Sequence, residues 1–159
     1  MLVTSVNPLE IFIYKEGFGR FSTAPFNLDP NDKANKYIHL TNVSINKHNQ
    51  KNMDNSNADD ISGGTKVSLE TLKQKIEAAY QIDWDRQLWE QIKDVTIKSM
   101  VAAQNDIQYN PSCFEVYGFD MIIDGDFKVW LLEINSSPSL SRDTLLDDLI
   151  KQKLIDDTI

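Results

Sequence analysis

The stretch FEVYGFDMIIDGDFKVWLLEIN, residues 114–135, decides how this part of the chain folds. Residues 113–123 and 127–135 are rich in β-branched and aromatic side chains, and an Asp-Gly-Asp segment at 124–126 separates them. An Asp-Gly turn between two such runs is a strong signal for a β-hairpin. The sequence therefore predicts two antiparallel strands joined by a tight connection.

Polar side chains interrupt the apolar pattern on both predicted strands. Because side chains alternate along a strand, Asp120 shares a face with Ile122, and Glu133 shares a face with Leu131 and Asn135. If an even number of residues connects the strands, so that positions such as 120 and 131 pair, Asp120 lies on the same face as Glu133 and Asn135. Cross-strand neighbours lie within ~5–8 Å, so these three oxygen-bearing groups are candidates to share a cation.

Two interpretations of these carboxylates stay open. Apolar side chains such as Tyr117 and Trp130 occupy the opposite face, so both faces of the hairpin are expected to be buried, and buried carboxylates need a compensating charge. Mg²⁺ prefers carboxylate and amide oxygens, whereas zinc is disfavoured because no His or Cys is close by. The alternative is that Asp120 and Glu133 each point to solvent, as they do on many amphipathic hairpins. The SSPSL segment (136–140) that follows is either an ordinary turn or a loop that lines a site.

The N-terminal third predicts strands and loops. LEIFIY (9–14) and FGRFS (18–22) predict a second hairpin, and YIHLTNVSIN (37–46) predicts a strand or extended segment. Residues 47–65 are rich in Asn, Asp and Gly and contain almost no apolar side chains, which predicts disorder.

Helices are predicted in the middle and at the end of the chain. Ser68 is a plausible N-cap for a helix over 69–80, and a second helix is expected after Asp83, ending at about 104. Residues 141–159 have the character of a helical tail. The fold class predicted from these elements is α+β, with a mainly antiparallel sheet and two principal helices.

Composition excludes several classes of function. The 159 residues have a formal net charge of -8, which argues against a nucleic-acid partner, because phosphates attract clustered Lys and Arg. No apolar stretch approaches the ~20 residues that cross a bilayer, so no membrane association is expected. The single cysteine, Cys113, cannot form an intramolecular disulfide, which favours a cytoplasmic protein, and we expect it to be a buried structural thiol.

Three segments together resemble the tubulin tyrosine ligase-like family of the ATP-grasp superfamily. The longest is FEVYGFDMIIDGDFKVWLLEINSSPSL (114–140), which resembles the family's closing motif, and YIHLTNVSINK (37–47) and LEIFIYKEGFGRFS (9–22) resemble two earlier motifs. The resemblance implies that residues 1–142 are the C-terminal ATP-grasp subdomain, interrupted by the insert 47–65 and followed by a helical tail at 143–159.

The resemblance also implies roles for particular residues. Those implied to hold Mg²⁺ against the phosphates of ATP are Asp120, Glu133 and Asn135. Arg20 is implied to be a catalytic clamp on the terminal phosphate or the substrate carboxylate. Residues implied to line the nucleotide and acceptor site are His39, Thr41, Asn42 and Lys47. By itself, a histidine in a strand or a lysine at a loop more often has a structural or solubilising role.

The activity implied by the resemblance is the ATP- and Mg²⁺-dependent addition of amino acids to tubulin through an acyl phosphate. The residues of these motifs resemble those of the polyglutamylases most. This resemblance implies free glutamate as co-substrate and the acidic tails of tubulin in microtubules as acceptor. Within the family the alternatives are a polyglycylase or a tyrosine ligase. From another class, the alternative is a non-catalytic microtubule- or nucleotide-binding fragment.

The resemblance carries two further expectations. The family's adenine-contacting hinge and phosphate-gripping lysines have no counterpart in these 159 residues, so we expect the chain alone to be inactive. A protein of this family is expected in the cytoplasm on the cytoskeleton, including the basal body and axoneme of a cilium or flagellum.

Overall fold

The computed structural model describes residues 1–42, 45, 66–108 and 110–159. Lys47 and the predicted disordered insert 47–65 lie outside the described residues. The chain divides into two compact units. The first comprises Met1–Lys15, Lys73–Ser141 and Leu154–Ile159, and the second comprises Glu16–Leu72 and Arg142–Lys153.

Strands and helices alternate irregularly along the described chain. The strands are β1 (Leu2–Val6), β2 (Leu9–Phe12), β3 (Phe18–Arg20), β4 (Lys66–Ser68), β5 (Glu115–Val116), β6 (Gly118–Ile123) and β7 (Val129–Asn135). The α-helices are α1 (Lys36–His39), α2 (Leu69–Tyr80), α3 (Glu90–Ala103) and α4 (Leu145–Thr158). All strand pairs formed by these elements are antiparallel, which confirms the predicted α+β class. In the described ranges no helix is long and apolar enough to cross a membrane.

The first unit is built around a three-stranded sheet in the order β2-β1-β5. Val3 and Val6 of β1 are buried and pack in one cluster with Met100 of α3. Two residues three apart on a regular strand would face opposite sides, but the β1–β2 register shifts between Val3 and Ser5. This irregularity lets both valines reach the same core.

Helix α3 supports the β6–β7 hairpin in the same unit. The π-helical turn Asp85–Trp89 leads into α3 and places Leu88 in the core with no exposed surface. The side chain of Gln91 donates a hydrogen bond to the carbonyl of Phe127 (2.9 Å) and accepts one from the amide of Val129 (3.1 Å). The helix thereby holds the hairpin at its turn end.

The second unit contains the β3–β4 hairpin and the start of α2. Phe18 pairs with Ser68, and Arg20 pairs with Lys66. The hydroxyl of Ser68 accepts a hydrogen bond from the amide of Thr71 (3.0 Å), which is the geometry of an N-cap. The predicted cap and the predicted helix over 69–80 are both confirmed.

A buried carboxylate in the first turn of α4 completes this unit. Asp147 is only 3% exposed, and it forms ion pairs with Lys66 of β4 and with Lys151 of α4 (3.0 Å). It also accepts a hydrogen bond from the hydroxyl of Thr144 (2.8 Å). Burial alone would raise the pKa of the Asp147 carboxyl, but the hydrogen bonds from Lys66, Thr144 and Lys151 outweigh burial and lower it to about 2.

Three sequence-based predictions of local structure are wrong. Segments 9–14 and 18–22 do not pair with each other, because β2 finds its partner in β1 and β3 finds its partner in β4. The start of segment 37–46 is helical instead of extended, since Asn35 caps α1 by accepting a hydrogen bond from the amide of Tyr37 (3.1 Å). Cys113 is exposed instead of buried, because it lies in a turn before β5.

We expect Gln91→Met to destabilise the chain by about 1–3 kcal/mol, because it removes both hydrogen bonds and leaves the buried amide of Val129 without its acceptor. Urea unfolding of the 159-residue chain measures this. Gln87→Met, at an exposed position one turn earlier, is the matched control. Equal stability of the two variants would contradict the anchoring role of Gln91.

The ion pairs of Asp147 predict an acid-dependent loss of stability. The folded pKa of about 2 lies below the ordinary value of 3.8, so the stabilisation is complete above about pH 5 and is lost as the pH falls towards 2. The difference in melting temperature between the wild type and Asp147→Asn should therefore shrink as the pH falls from 6 to 3. Thermal unfolding monitored by circular dichroism tests this, with Asp148→Asn as control. A difference that does not change with pH would contradict it.

Candidate functional site

The connection between β6 and β7 is organised by Asp124. One of its carboxylate oxygens accepts hydrogen bonds from the amides of Asp126 (3.0 Å) and Lys128 (2.9 Å). The other accepts a hydrogen bond from the indole nitrogen of Trp130 (2.7 Å). The indole and the two amides lower the pKa of Asp124, since they stabilise its charged form. Phe127, with a φ of 60°, takes the left-handed position of the turn.

A β-bulge then sets the register of the two carboxylates. Ile123 pairs with Val129, so the connection holds five residues, 124–128, and the even-numbered connection considered from the sequence is wrong. With a regular ladder from that pairing, Asp120 would face Leu132, and Glu133 would lie on the other face of the sheet. Instead the register shifts between Asp120 and Met121, so that Leu132 is the extra residue.

The bulge brings the predicted oxygen ligands to one face. Asp120 lies directly opposite Glu133, and Asn135 lies opposite Gly118, two residues further along the same face. Directly opposed side chains have Cβ atoms about 4.5–5.5 Å apart. The side-chain amide of Asn135 donates a hydrogen bond to Glu133 (3.1 Å). All three predicted metal ligands therefore lie on one face, because of a β-bulge that the sequence pattern does not predict.

The expectation that both faces of this hairpin are buried is wrong. Glu133 and Asn135 are exposed and Asp120 is half-buried. Trp130 and Leu132 also keep large exposed fractions, 47% and 63%. Trp130 pairs with Ile122 and therefore lies on the face of Asp120, so its predicted place on the opposite face is wrong. Neither side chain has enough neighbours in the described chain to cover it. Desolvation is therefore no reason to invoke a cation here, and the reason that remains is the direct opposition of two like charges.

The donor set fits magnesium better than a metal held by protein alone. Among the residues that the structure describes, no group of three or more His, Cys, Asp and Glu side chains is arranged to hold a metal ion. Two carboxylates and an amide oxygen form an incomplete shell of hard ligands. Mg²⁺ is commonly bound in this way, because water and substrate phosphates complete its octahedral shell.

Gly118 shapes the end of the hairpin beside Asn135. A Cβ atom at this position would lie 3.1 Å from the Cβ of Pro138 and 3.8 Å from the Cβ of Asn135. A side chain at position 118 would therefore push against the SSPSL loop, residues 136–140, which glycine lets approach β6 closely. Sequence analysis missed this role, although a glycine inside a strand pattern is itself a signal of close backbone approach.

The remaining predicted site residues belong to the second unit. Arg20 is exposed at the end of β3. His39 ends α1, where its Nε2 lies 3.2 Å from the carbonyl oxygen of Asp32 and its ring contacts Phe26 edge-on. Thr41 is half-buried and Asn42 is exposed just after α1. The predicted metal ligands thus share the first unit, and Arg20, His39, Thr41 and Asn42 share the second.

The described elements form an α+β chain in which Asp120, Glu133 and Asn135 lie on one face of an antiparallel hairpin. The sequence profile of the tubulin-tyrosine ligase family matches residues 1–159, and the chain belongs to this family.

Several curated relatives are similar over nearly the whole chain. "Tubulin polyglutamylase TTLL6" of Homo sapiens is 38% identical over 100% of this chain and 18% of its own length. "Probable alpha-tubulin polyglutamylase Ttll1" of Tetrahymena thermophila is 38% identical over 97% of this chain and 36% of its own length. "Tubulin glycylase 3F" of Tetrahymena thermophila is 36% identical over 98% of this chain and 16% of its own length. The chain thus spans little more than a third of these relatives at most.

We expect Gly118→Val to destabilise the chain by about 1–3 kcal/mol, because the added side chain collides with Pro138. Gly125→Ala is the control, since a Cβ there meets nothing within 4 Å. Urea unfolding compares the two variants. If both are as stable as the wild type, the loop does not need glycine at position 118.

Proposed function

We propose that this chain is the part of an ATP- and Mg²⁺-dependent ligase that binds the metal and the terminal phosphates of ATP. The parent enzyme adds glutamate to tubulin. The observation that carries the proposal is the direct opposition of Asp120 and Glu133, with Asn135 on the same face. Tubulin as the substrate is supported by the names of similar relatives, several of which are tubulin polyglutamylases.

The proposed reaction begins with attack of a carboxylate on the terminal phosphate of ATP, which forms an acyl phosphate and ADP. The amine of the incoming amino acid then displaces phosphate and forms an amide. Mg²⁺, when bound, neutralises charge on the phosphates. Asp120, Glu133 and Asn135 would hold this ion, and Arg20 would offer a guanidinium to the terminal phosphate or to the substrate carboxylate. Such chemistry relies on positioning and charge more than on a protein nucleophile.

We further propose the organisation that the motifs imply. Residues 1–142 form the C-terminal ATP-grasp subdomain, and 143–159 form a helical tail. His39, Thr41, Asn42 and Lys47 line the nucleotide and acceptor site. Because the chain spans at most 36% of the relatives given above, we propose that it does not turn over alone. The parent protein acts on microtubules in the cytoplasm, including those of cilia.

A polyglycylase is the second candidate, because a tubulin glycylase is 36% identical to this chain. A tyrosine ligase and a non-catalytic microtubule- or nucleotide-binding fragment are further alternatives. Incubating the full-length protein with tubulin, ATP and either glutamate, glycine or tyrosine separates them, because mass spectrometry of the tubulin tails identifies the added residue. No addition with any amino acid, despite bound ATP, would favour the non-catalytic alternative.

We expect Glu133→Gln to lower turnover of the full-length ligase by more than about a hundredfold, because it removes a ligand charge at nearly constant size. Folding should be unaffected, since Glu133 is exposed. The matched control is Glu115→Gln, an exposed carboxylate on β5.

A second measurement on the 159-residue chain does not require activity. Mn²⁺ should broaden the side-chain amide resonance of Asn135 in the wild type and in Glu115→Gln, but much less in Glu133→Gln. Near-normal turnover and unchanged broadening in Glu133→Gln would show that this cluster is not the metal site.

A further inference from the structure

We propose that Asp147 is a positioning residue for Arg20, acting through Lys66 of the neighbouring strand. The inference rests on the function proposed above only in the role that it gives to Arg20. The contacts that carry it all lie within the second unit.

The β3–β4 hairpin that bears Arg20 is too small to be stable alone. Each strand has three residues, and β3 and β4 form a two-stranded sheet by themselves. An isolated two-stranded hairpin is at best marginally stable in water. Something outside the two strands must therefore hold Arg20 in its register.

The face of the hairpin that carries Arg20 also carries the buried Lys66, and Val67 on the opposite face is buried too. Arg20 pairs directly with Lys66, and directly opposed residues of an antiparallel pair point to the same face. Phe18, two residues before Arg20, lies on this face too, and its ring lies 3.9 Å from the ammonium group of Lys66. Lys66 is buried, with 8% of its surface exposed, whereas Arg20 is exposed.

Helix α4 supplies the charge that lets Lys66 be buried. One oxygen of Asp147 contacts the ammonium groups of both Lys66 and Lys151, and the other accepts a hydrogen bond from the hydroxyl of Thr144. The amide of Asp147 in turn donates to the Thr144 hydroxyl (3.1 Å), so the carboxylate is fixed in the first helical turn. Two cations thus share one buried carboxylate.

Among the residues of this ion-pair cluster, Asp147 is the one whose replacement should destabilise the hairpin most. Without this carboxylate, the buried ammonium group of Lys66 loses its ion-pair partner, and a buried charge that loses its partner is strongly destabilising. Lys66 would then move towards solvent, and β4 would move with it. Because β4 is the partner strand of β3, Arg20 would lose its fixed position even though Asp147 touches neither substrate nor Arg20.

Hydrogen exchange of the 159-residue chain, resolved by NMR, tests the structural half of this inference. Asp147→Asn should accelerate exchange of the β3 and β4 amides at least about tenfold, while the β6 and β7 amides change less than about twofold. The double variant Asp147→Asn/Lys66→Met should show a smaller acceleration than Asp147→Asn, because no buried cation without its partner remains at position 66. Asp148→Asn, an exposed neighbour on α4, should change neither hairpin.

Two results would overturn the anchoring role. One is protection of β3 and β4 that is the same in the wild type, in Asp147→Asn and in the double variant. The other is an equal loss of protection in β6 and β7, which would mean that Asp147 supports the whole chain instead of the hairpin.

A double-mutant cycle in the full-length ligase tests the positioning half. Asp147→Asn should lower kcat/KM about tenfold in the wild type but less than about twofold in the Arg20→Gln background, because its effect passes through Arg20. If the effects of the two substitutions on kcat/KM are additive, Asp147 has a general structural role and the inference is wrong. If Arg20→Gln leaves turnover unchanged, the function proposed for Arg20 fails, and hydrogen exchange still decides whether Asp147 fixes the hairpin.

Discussion

Asp120 and Glu133 face each other across two adjacent strands, and like charges at directly opposed positions destabilise an antiparallel pair. The β6–β7 hairpin must therefore be stabilised by contacts elsewhere. At its turn, Asp124 binds two backbone amides and the indole of Trp130. Next to the turn, Gln91 of α3 fixes the backbone at Phe127 and Val129. A hairpin held at one end in this way can keep two repelling carboxylates near its other end, where a cation would relieve the repulsion.

The elements of this fold that depend on local signals could be predicted from the sequence. The Asp-Gly turn, the Ser68 cap and the helical periodicity after residue 83 each act through neighbours in the chain, and the corresponding elements are present. Local signals do not determine which strand pairs with which. Five residues separate β2 from β3, and the sequence pattern predicts that they form a hairpin. Instead β2 pairs with β1 and β3 pairs with β4, two strands that the sequence pattern did not predict. Pairing is decided by packing of distant segments, such as Val3 and Val6 against Met100.

The candidate site was predicted for partly incorrect reasons. The three oxygen-bearing residues do lie on one face, but the five-residue connection alone would have separated them, and the bulge at Leu132 reunites them. Their predicted burial is wrong, since hydrophobic neighbours in sequence do not guarantee that anything covers them. Gly118 and Gln91 were missed because their roles depend on contacts with Pro138 and with the hairpin backbone, which no periodicity encodes.

The bulge has a consequence for variation in the length of β7. The residue that it accommodates is surplus to the pairing, because Met121 already faces Leu131 and Asp120 already faces Glu133. A strand shorter by one residue between Val129 and Leu132 could form a regular ladder and keep the two carboxylates opposed. A strand longer by one residue would keep the two carboxylates directly opposed only with a second unpaired position, because a regular ladder would place Glu133 opposite Gly118. The direct opposition of Asp120 and Glu133 therefore tolerates one residue fewer in this segment of the chain better than one residue more.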